Sequence, residues 1–311
     1  MEFVHKPVML AECIEALDIK PDGIYLDGTL GGGGHSYEIA RRLTEGGRLI
    51  AFDKDEDAHK AARERLKDFT ERIVFVRDDF KNACAVLDEL GIGRIDGVLL
   101  DLGVSSYQLD NAERGFSYVK DAPLDMRMDR GQRMSAYEVV NTYSAEELTR
   151  IFREYGEEKL ASKIAARIVK IREEKPIATT LELSAIVESS YPAATRWKFG
   201  HPAKRVFQAI RIEVNGELNA LGEAVTELAR RLKPDGRMAV ITFHSLEDRI
   251  VKNAFKELSL SCTCPPDFPV CVCGKIKEVE ILTNKPITAG AEELQSNPRS
   301  ESAKLRVIKR L

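Results

Sequence analysis

Between residues 26 and 36 the chain reads Leu26-Asp27-Gly28-Thr29-Leu30-Gly31-Gly32-Gly33-Gly34-His35-Ser36. Five of the seven positions from 28 to 34 are glycine. Glycine lets a ligand approach the backbone closely, and the N-terminus of a following helix offers free backbone amides. The stretch follows a short apolar run at 23–27 and precedes a helical pattern at 35–43. These features predict a site for a nucleoside-containing cofactor, the alternative being a tight turn with a solvated acid.

The same alternation of strand and helix continues outward from this stretch. Near-continuous apolar runs, typical of strands buried on both faces, are separated by helical patterns. The predicted strands are residues 23–27, 48–53, 73–76, 95–101 and 237–243, with later strands at 278–282 and 305–308 closing the edge. The predicted helices are residues 35–43, 58–69, 82–90, 213–232 and 245–258. The expected fold class is α/β, with a doubly wound, mostly parallel, Rossmann-like sheet.

The alternation breaks between residues 108 and 212. Helical patterns occupy residues 145–155, 159–173 and 181–189. Two of them open with capping boxes, in which a hydroxyl and a carboxylate satisfy free backbone amides. The boxes pair Ser144 with Glu147 and Thr179 with Glu182. The simplest arrangement is a helical domain of residues 108–212 inserted into an α/β domain of residues 1–107 and 213–311.

Acidic residues end three of the predicted strands. Asp53 ends the second strand, where an acid usually binds ribose hydroxyls. Asp101 ends the fourth, and ligands of open α/β sheets bind beyond the carboxyl ends of the strands, although an acid here could instead cap the following turn. Asp27 precedes the glycines and suits the ammonium group of S-adenosylmethionine better than the pyrophosphate of NAD. Ser36 also replaces the third glycine of the dinucleotide motif, so S-adenosylmethionine is the expected cofactor.

The overall charge excludes a globally basic nucleic-acid binder. Lys and Arg number 47 against 50 Asp and Glu in 311 residues, which gives a formal net charge of −3. An anionic partner would therefore have to meet a local basic patch. The N-terminus has no apolar core typical of a signal peptide, and no stretch approaches the roughly 18 apolar residues of a membrane span. A cytoplasmic enzyme without membrane contact is expected.

Several motifs are peculiar to one family and occur in its order. They are Val4-His5-Lys6-Pro7-Val8-Met9-Leu10, Asp27-Gly28-Thr29, Gly33-Gly34-His35-Ser36, Asp101-Leu102-Gly103-Val104-Ser105-Ser106, Pro123-Leu124-Asp125-Met126-Arg127-Met128, His201-Pro202-Ala203-Lys204-Arg205-Val206-Phe207-Gln208-Ala209-Ile210-Arg211-Ile212, Thr242-Phe243-His244-Ser245-Leu246-Glu247-Asp248 and Asn297-Pro298-Arg299-Ser300. Together they resemble the small-subunit ribosomal RNA cytosine methyltransferase family, RsmH, also called MraW. The resemblance runs from residue 4 to the C-terminus.

This resemblance implies a specific activity. Members of the family use S-adenosylmethionine to methylate the exocyclic N4 amine of one cytidine in the decoding region of bacterial 16S rRNA, so 16S rRNA or the small ribosomal subunit is the expected partner. The implied fold is a methyltransferase α/β domain with an inserted helical domain. The cofactor contacts of the family carry over to Gly33, Gly34, His35, Asp53, Phe80, Asp101 and Gln108. Many other amino-methyltransferases carry an acid-Pro-Pro-aromatic motif after the fourth strand, whereas this chain has Asp101-Leu102-Gly103-Val104.

The reaction depends mainly on how the cytosine amine is oriented toward the methyl group. The cytosine amine is a poor nucleophile because its lone pair is delocalised into the ring, so holding it in line with the methyl group can supply much of the rate. Asp101 and the backbone carbonyls after it are the candidate acceptors for the amine hydrogens, which makes Asp101 the candidate catalytic residue. A flipped base also needs a stacking partner, and Phe116, Tyr118 and Phe243 are equivalent candidates at this stage.

A basic stretch in the inserted domain is the candidate RNA surface. Residues 189–212 contain no acid. They contain five cations with three aromatic or imidazole side chains among them, namely Arg196, Lys198, Lys204, Arg205 and Arg211 with Trp197, Phe199 and His201. Cations beside aromatic rings are typical of single-strand RNA sites. We expect phosphate contacts from Arg196, Lys198, Lys204 and Arg205 and base stacking on Trp197, the alternative being a solvated basic loop.

Four of the six cysteines fall within twelve residues: Cys262, Cys264, Cys271 and Cys273. Four thiolates could form a closed structural zinc site, although a single residue within each pair is tighter than the usual spacing. Reduced cysteines in a lid-like loop and a redox pair are the alternatives. Cys13 and Cys84 are expected on helices in the core. Ser245 and Asp248 are expected to cap a helix, with His244 facing the site.

The sequence is also compatible with two other functions. The first is an NAD-dependent oxidoreductase in which the cysteine cluster is a structural zinc site. The second is a non-catalytic RNA-binding assembly factor that keeps a cofactor pocket. The missing third glycine of the dinucleotide motif argues against the first.

Overall fold

The structure, a computed structural model, describes residues 7–194, 196–198, 200–265 and 270–311. Residues 4–6 of the N-terminal motif and Phe199 of the basic stretch lie outside the described residues. The chain divides into two compact units, one of Met1–Gly103 and Ala220–Leu311 and the other of Val104–Asn219. The boundaries expected from the sequence, 107/108 and 212/213, lie a few residues from these divisions.

The first unit is built on a seven-stranded sheet. Its strands are β1 (Ile24–Asp27), β2 (Arg48–Phe52), β3 (Ile73–Val76), β4 (Ile95–Asp101), β5 (Leu232–Thr242), β6 (Val279–Ile281) and β7 (Lys304–Arg310). The strand order is β3-β2-β1-β4-β5-β7-β6. The first five strands in this order are parallel to one another, and β7 is antiparallel to both of its neighbours, β5 and β6. This order confirms the expected doubly wound, mostly parallel α/β fold.

Apolar runs form the central strands because helices cover both faces of a parallel sheet. In β2 the four residues after Arg48 are buried, and in β4 all residues but the last are buried. The first four helices are α1 (Leu10–Leu17), α2 (Gly34–Ala40), α3 (Glu56–Arg65) and α4 (Ala83–Glu89). The helix predicted over 58–69 is shorter than expected, since α3 ends at Arg65 and a 3-10 helix follows over Lys67–Arg72.

The second unit is helical within its described residues. Its helices are α5 (Ser106–Asp110), α6 (Ala136–Thr142), α7 (Ala145–Glu154), α8 (Ala161–Arg172), α9 (Thr180–Ser190) and α10 (Lys204–Asn215). The capping boxes predicted at the starts of α7 and α9 are both present. The apolar faces of the helices in this unit share one core, in which Phe152, Ile164 and Ile210 are completely buried.

The helix predicted over residues 213–232 is wrong. The chain instead ends α10 at Asn215, and Gly216 caps it in the left-handed conformation with φ of 57°. A new helix, α11 (Leu221–Arg230), then starts in the first unit. The apolar pattern in the sequence continues from α10 into α11, so Gly216 was the one sequence signal for the boundary between the two helices.

The remaining helices are α12 (Ser245–Ser259) and α13 (Ala291–Ser296). At 15 residues, α12 is the longest helix in the described part of the chain. None of the described helices is both long enough and apolar enough to span a membrane.

Candidate functional site

The carboxyl ends of neighbouring parallel strands bring three acids to one edge of the sheet. Asp27 is the last residue of β1 and lies in register with Ala51 of β2. Asp101 is the last residue of β4, and Asp53 directly follows β2. Parallel strands end at the same edge, which is where open α/β sheets bind their ligands. Asp53 and Asp101, predicted separately from the sequence, therefore lie with Asp27 at one edge of the sheet.

Two of these acids hold the glycine-rich loop. The backbone N–H of Gly31 donates to Asp53 Oδ2 at 2.8 Å, and the N–H of Asp55 donates to Oδ1 at 2.9 Å. The N–H of Thr29 donates to Asp27 Oδ1 at 3.0 Å, and the Ser36 hydroxyl donates to Oδ2 at 2.6 Å. Carboxylates that accept backbone amides fix the loop, so the loop is rigid before any ligand binds.

The glycines let the backbone pass close to neighbouring side chains. A Cβ on Gly28 would lie 2.3 Å from Leu100 Cδ2 and 2.9 Å from Phe80 Cβ. Gly33 has φ of 75° and is the N-cap of α2, whose first residue is Gly34. The first backbone amides of a helix have no partner within it, so the start of α2 offers donors at this edge. Gly33, Gly34 and Phe80 lie near this edge of the sheet, and their cofactor contacts stay a prediction.

Replacing Gly28 with alanine should therefore disturb both packing and binding. The new methyl group must displace Phe80 or the buried Leu100, and overpacking of this kind costs about 1–3 kcal/mol of unfolding free energy. Urea denaturation measures this loss, and calorimetry measures the accompanying loss of S-adenosylmethionine affinity. The matched control is Gly93→Ala, because a Cβ there meets nothing within 4 Å. Equal stability of the two variants would contradict the close approach.

Asp101 is half-buried, and only some of its polar atoms have hydrogen-bond partners. Its backbone N–H donates to the Thr29 hydroxyl at 2.6 Å, which fixes the end of β4 against the loop. Its Oδ2 lies 3.7 Å from His35 Nδ1. Its Oδ1 is buried and has no hydrogen-bond partner among the described residues. A buried acceptor without a partner costs free energy, so this oxygen is suited to a donor on a ligand.

His35 is buried and oriented by the backbone. Its Nε2 lies 3.0 Å from the carbonyl oxygen of Val8. Since a carbonyl only accepts, Nε2 carries the hydrogen, and Nδ1 presents a lone pair toward Asp101. Burial lowers the pKa of His35 to about 4, which keeps the ring neutral at physiological pH. The side chain is therefore oriented by the chain near Val8, and its predicted cofactor contact stays a prediction.

A neutral, buried His35 makes stability depend on pH. In the unfolded chain a histidine takes up a proton below about 6.5, whereas folded His35 does so only near pH 4. The folded state therefore loses stability as the pH falls through this window, by about 2–3 kcal/mol between pH 7 and pH 4.5. His35→Gln should lose that much less, since glutamine does not titrate. Urea denaturation of both proteins at both pH values measures the difference, and parallel losses would contradict it.

The three acids create a negative site. Burial, together with the nearby Asp53 charge, raises the pKa of Asp27 to about 6. Burial also raises the pKa of Asp53. The pKa of Asp101 is raised well above its usual value by burial, by Asp27 and by Glu247. A cation among these groups would relieve their repulsion, whereas a pyrophosphate would add to it. The residues therefore fit the cationic S-adenosylmethionine better than NAD.

Gln108, also predicted to contact the cofactor, belongs to the other compact unit. It is buried on α5, where the N–H of Ser105 donates to its Oε1 at 3.0 Å. This bond is half of a capping box that starts the helix. Its part in the cofactor site stays a prediction. Sequence reasoning missed the roles of Thr29 and Ser36, because ordinary hydroxyls in a glycine-rich loop carry no signal until their partners are known.

The predicted cap of α12 is wrong by one residue. His244, not Ser245, is the N-cap, and it forms a capping box with Glu247. Glu247 is buried and also accepts from the N–H of Phe243 at 2.9 Å. Asp248 instead pairs with Arg306 at 2.6 Å, so it is not available to cap the helix. A histidine N-cap is uncommon, and for this reason the Ser-x-x-Asp pattern was misleading.

The predicted RNA-binding residues lie in the helical unit. Lys204 and Arg205 are exposed on the first turn of α10, which has no acid in that turn. Trp197 is 58% exposed, and its ring meets the His201 ring edge-on at 5.1 Å. Arg196 is half-buried and Lys198 is exposed. Arg211 pairs with Glu217 at 2.8 and 2.9 Å.

The structure narrows the choice of a base-stacking side chain. Phe116 is buried in the core of the helical unit, which leaves no ring face for a base. Tyr118 packs against His201 at 4.5 Å and against Phe207 at 5.8 Å. Phe243 is half-buried directly after β5 in the first unit. Tyr118 and Phe243 therefore stay as candidates.

The cysteines divide as expected into two groups. Cys13 on α1 is buried, and Cys84 on α4 is half-buried, so the core position expected for Cys84 is only partly reached. The other four sulfur atoms come together in the first unit, all within 4.8 Å of one another. They are Cys262, Cys264, Cys271 and Cys273.

Comparisons with known proteins cover the whole chain. A family model described as the MraW methylase family matches residues 2–311. The chain is 59% identical to the ribosomal RNA small subunit methyltransferase H of Lachnospira eligens, over 100% of this chain and 99% of that protein. It is 57% identical to the protein of the same name from Clostridium botulinum strain Loch Maree, over 100% of both. An rRNA methylase structure from Streptococcus thermophilus aligns over 99% of each chain at 13% identity and a TM-score of 0.42, too weak a likeness to support an assignment.

Proposed function

The chain belongs to the MraW methylase family, and we propose on this premise that it transfers a methyl group from S-adenosylmethionine to the exocyclic N4 amine of a cytidine in 16S rRNA. The names of the relatives support small-subunit rRNA as the substrate, in free or assembled form. The cytidine, its amine and the decoding region follow from the resemblance of the motifs. We place the reaction in the cytoplasm, where ribosomal subunits are assembled.

The single observation that carries this proposal is the buried Oδ1 of Asp101, which has no hydrogen-bond partner in the part of the chain that the structure describes. It lies at the edge of the sheet where Asp27, Asp53 and the start of α2 supply the groups that a cationic nucleoside needs. The residues of the first unit that would hold the cofactor are Gly33, Gly34, His35, Asp53, Phe80 and Asp101; a contact from Gln108 is implied by the family resemblance alone. When bound, S-adenosylmethionine supplies an activated methyl group.

The protein's own contribution is orientation. An acceptor at Asp101 Oδ1 fixes one hydrogen of the cytosine amine and thereby directs the amine nitrogen. This interaction needs little reorganisation, because the Thr29 hydroxyl already accepts a hydrogen bond from the Asp101 backbone N–H. A positive charge beside Asp101 would lower its raised pKa and favour the carboxylate that accepts.

Two measurements test this function. Purified protein with tritium-labelled S-adenosylmethionine should label small ribosomal subunits from cells that lack the protein. Mass spectrometry of 16S rRNA should then find one methyl group missing from one decoding-region cytidine in those cells. RNA binding without methyl transfer would support the assembly-factor alternative. The oxidoreductase alternative lacks support, because the matched family and both relatives are methyltransferases.

We also propose that the helical unit binds the RNA through the basic stretch. Lys204 and Arg205 stand in the first turn of α10, where the helix dipole disfavours cations. Exposed cations at this end cost stability unless an anion binds there, and the start of a helix also favours a phosphate. The exposed Trp197 ring, held edge-on by His201, is available to stack on a base. We expect Arg196 and Lys198 to add further phosphate contacts along the RNA strand.

Removing two of these cations should weaken RNA binding and its dependence on salt. For a single strand, each lost phosphate contact lowers the slope of log affinity against log salt by about 0.7. Lys204→Ala with Arg205→Ala should therefore lower the slope by roughly 1.4 and leave cofactor affinity unchanged. The control is Lys163→Ala with Lys170→Ala, the same charge change at exposed positions of α8. Superimposable lines for the parent and the first variant would show a solvated surface instead.

A further inference from the structure

Four cysteine sulfur atoms form a cluster in the loop between α12 and β6. Cys271 Sγ lies 3.4 Å from Cys262 Sγ, 4.0 Å from Cys264 Sγ and 3.6 Å from Cys273 Sγ. Cys262 Sγ and Cys273 Sγ are 3.8 Å apart. None of the four residues belongs to the methyl-transfer site described above. Their arrangement therefore needs an explanation of its own.

The spacing matches a tetrahedron of thiolates around one ion. With Zn–S bonds of about 2.3 Å, the edge of such a tetrahedron is about 3.8 Å. Of the six separations between the four sulfur atoms, four are 3.4, 3.6, 3.8 and 4.0 Å, close to this value, and the other two are within 4.8 Å. A disulfide would bring two sulfurs to about 2.05 Å, well below any of these separations. The irons of an iron–sulfur cluster would instead hold the cysteine sulfurs farther apart than a single ion does.

Backbone amides support the negative charge that four thiolates would carry. The N–H of Thr263 donates to Cys273 Sγ at 3.3 Å, and the N–H of Cys264 donates to Cys262 Sγ at 3.3 Å. The N–H of Val272 donates to Cys264 Sγ at 3.4 Å. Hydrogen bonds to the ligand atoms orient them and are a regular part of metal sites. Two of these amides belong to the residues between the cysteines of each Cys-x-Cys pair, Thr263 and Val272. The spacing of one residue therefore suits the site.

In its described residues, the loop between α12 and β6 has little apolar packing. It runs from the end of α12 at Ser259 to the start of β6 at Val279, and its ends are joined by the Glu278 N–H, which donates to the Leu258 carbonyl at 2.9 Å. The apolar side chains Val270, Val272 and Ile276 are 69 to 77% exposed, so in the described residues of this loop they form no core. Loops of this length without regular structure are uncommon unless something else orders them.

We propose that Cys262, Cys264, Cys271 and Cys273 bind one Zn²⁺ as four thiolates in a closed structural site. Each thiol releases its proton when the ion binds, and no electron is transferred. Four protein ligands leave no open position, so the ion orders the α12–β6 loop and takes no part in methyl transfer. This proposal does not depend on the proposed substrate.

The test uses the full-length protein purified without chelators. Plasma emission spectrometry should find about one zinc per chain, and Co²⁺ added to the metal-free protein should give the absorption of a tetrahedral thiolate site. Cys271→Ser should lose most of the zinc, since this sulfur contacts all three others. Cys84→Ser is the control, because Cys84 lies outside the cluster and should leave the zinc content unchanged.

Four outcomes would overturn the proposal. They are no zinc together with no Co²⁺ spectrum in the parent protein, bound iron with acid-labile sulfide in place of zinc, a mass lower by four hydrogens that shows two disulfides, and unchanged zinc in Cys271→Ser. If Cys271→Ser does not fold, limited proteolysis replaces it. Chelator treatment of the parent protein should then make the loop of residues 260–278 susceptible to cleavage, and Zn²⁺ alone should restore its resistance. Cleavage independent of Zn²⁺ would count against the site.

Discussion

Asp101→Ala is expected to lower turnover by about a hundred- to a thousandfold at saturating cofactor and RNA, the range found when one preorganised polar group is removed from a transition-state site. The buried Oδ1 has no partner among the described residues, so its acceptor is free to orient a substrate amine. Alanine removes that acceptor and leaves the Thr29 contact with the backbone in place. The effect should therefore fall on kcat more than on the KM for RNA.

Single-turnover methylation of small subunits measures this directly, and calorimetry with S-adenosylmethionine shows how much of the loss is cofactor binding. Asp101→Asn separates acceptor from charge, because its amide oxygen still accepts a hydrogen bond but carries no negative charge. We expect the asparagine variant to retain more activity than the alanine variant. Near-normal kcat in the alanine variant would show that Asp101 does not orient the amine.

Asp53→Ala is expected to weaken S-adenosylmethionine binding by about ten- to a hundredfold, or about 1.5–3 kcal/mol. A carboxylate after β2 is where ribose hydroxyls are bound in this fold class. The same carboxylate accepts the N–H groups of Gly31 and Asp55, so alanine also loosens the glycine-rich loop. The loss of the ribose contact and the loosening of the loop both weaken cofactor binding.

Calorimetry with S-adenosylhomocysteine measures the change, with thermal unfolding as the check that the variant is folded. Asp68→Ala is the control, because it removes an exposed acid from the 3-10 helix after α3. It should bind as the parent does. A dissociation constant for Asp53→Ala equal to that of the control would remove Asp53 from the cofactor site.

The strand pattern was readable from the sequence because buried parallel strands need uninterrupted apolar runs. Residues 73–76 and 95–101 were predicted with the bounds that β3 and β4 have in the structure. Capping boxes at Ser144 and Thr179 were also predicted correctly, since they depend on residues three apart. By contrast, the break at Gly216 and the cap at His244 were missed. Each depends on one backbone conformation that neighbouring residues do not determine.

The sequence alone determined the α/β class, the glycine-rich loop and the acids at the ends of the strands, because each is a local pattern imposed by burial or by backbone geometry. Only the tertiary structure decided what those residues contact. The anchoring of Gly31 by Asp53 and the clustering of four cysteine sulfur atoms join residues that have no periodic relation in the sequence. The environment that leaves Asp101 Oδ1 without a partner among the described residues is likewise built from distant parts of the chain. Such contacts are set by how the strands and loops pack, and local sequence carries no signal for them.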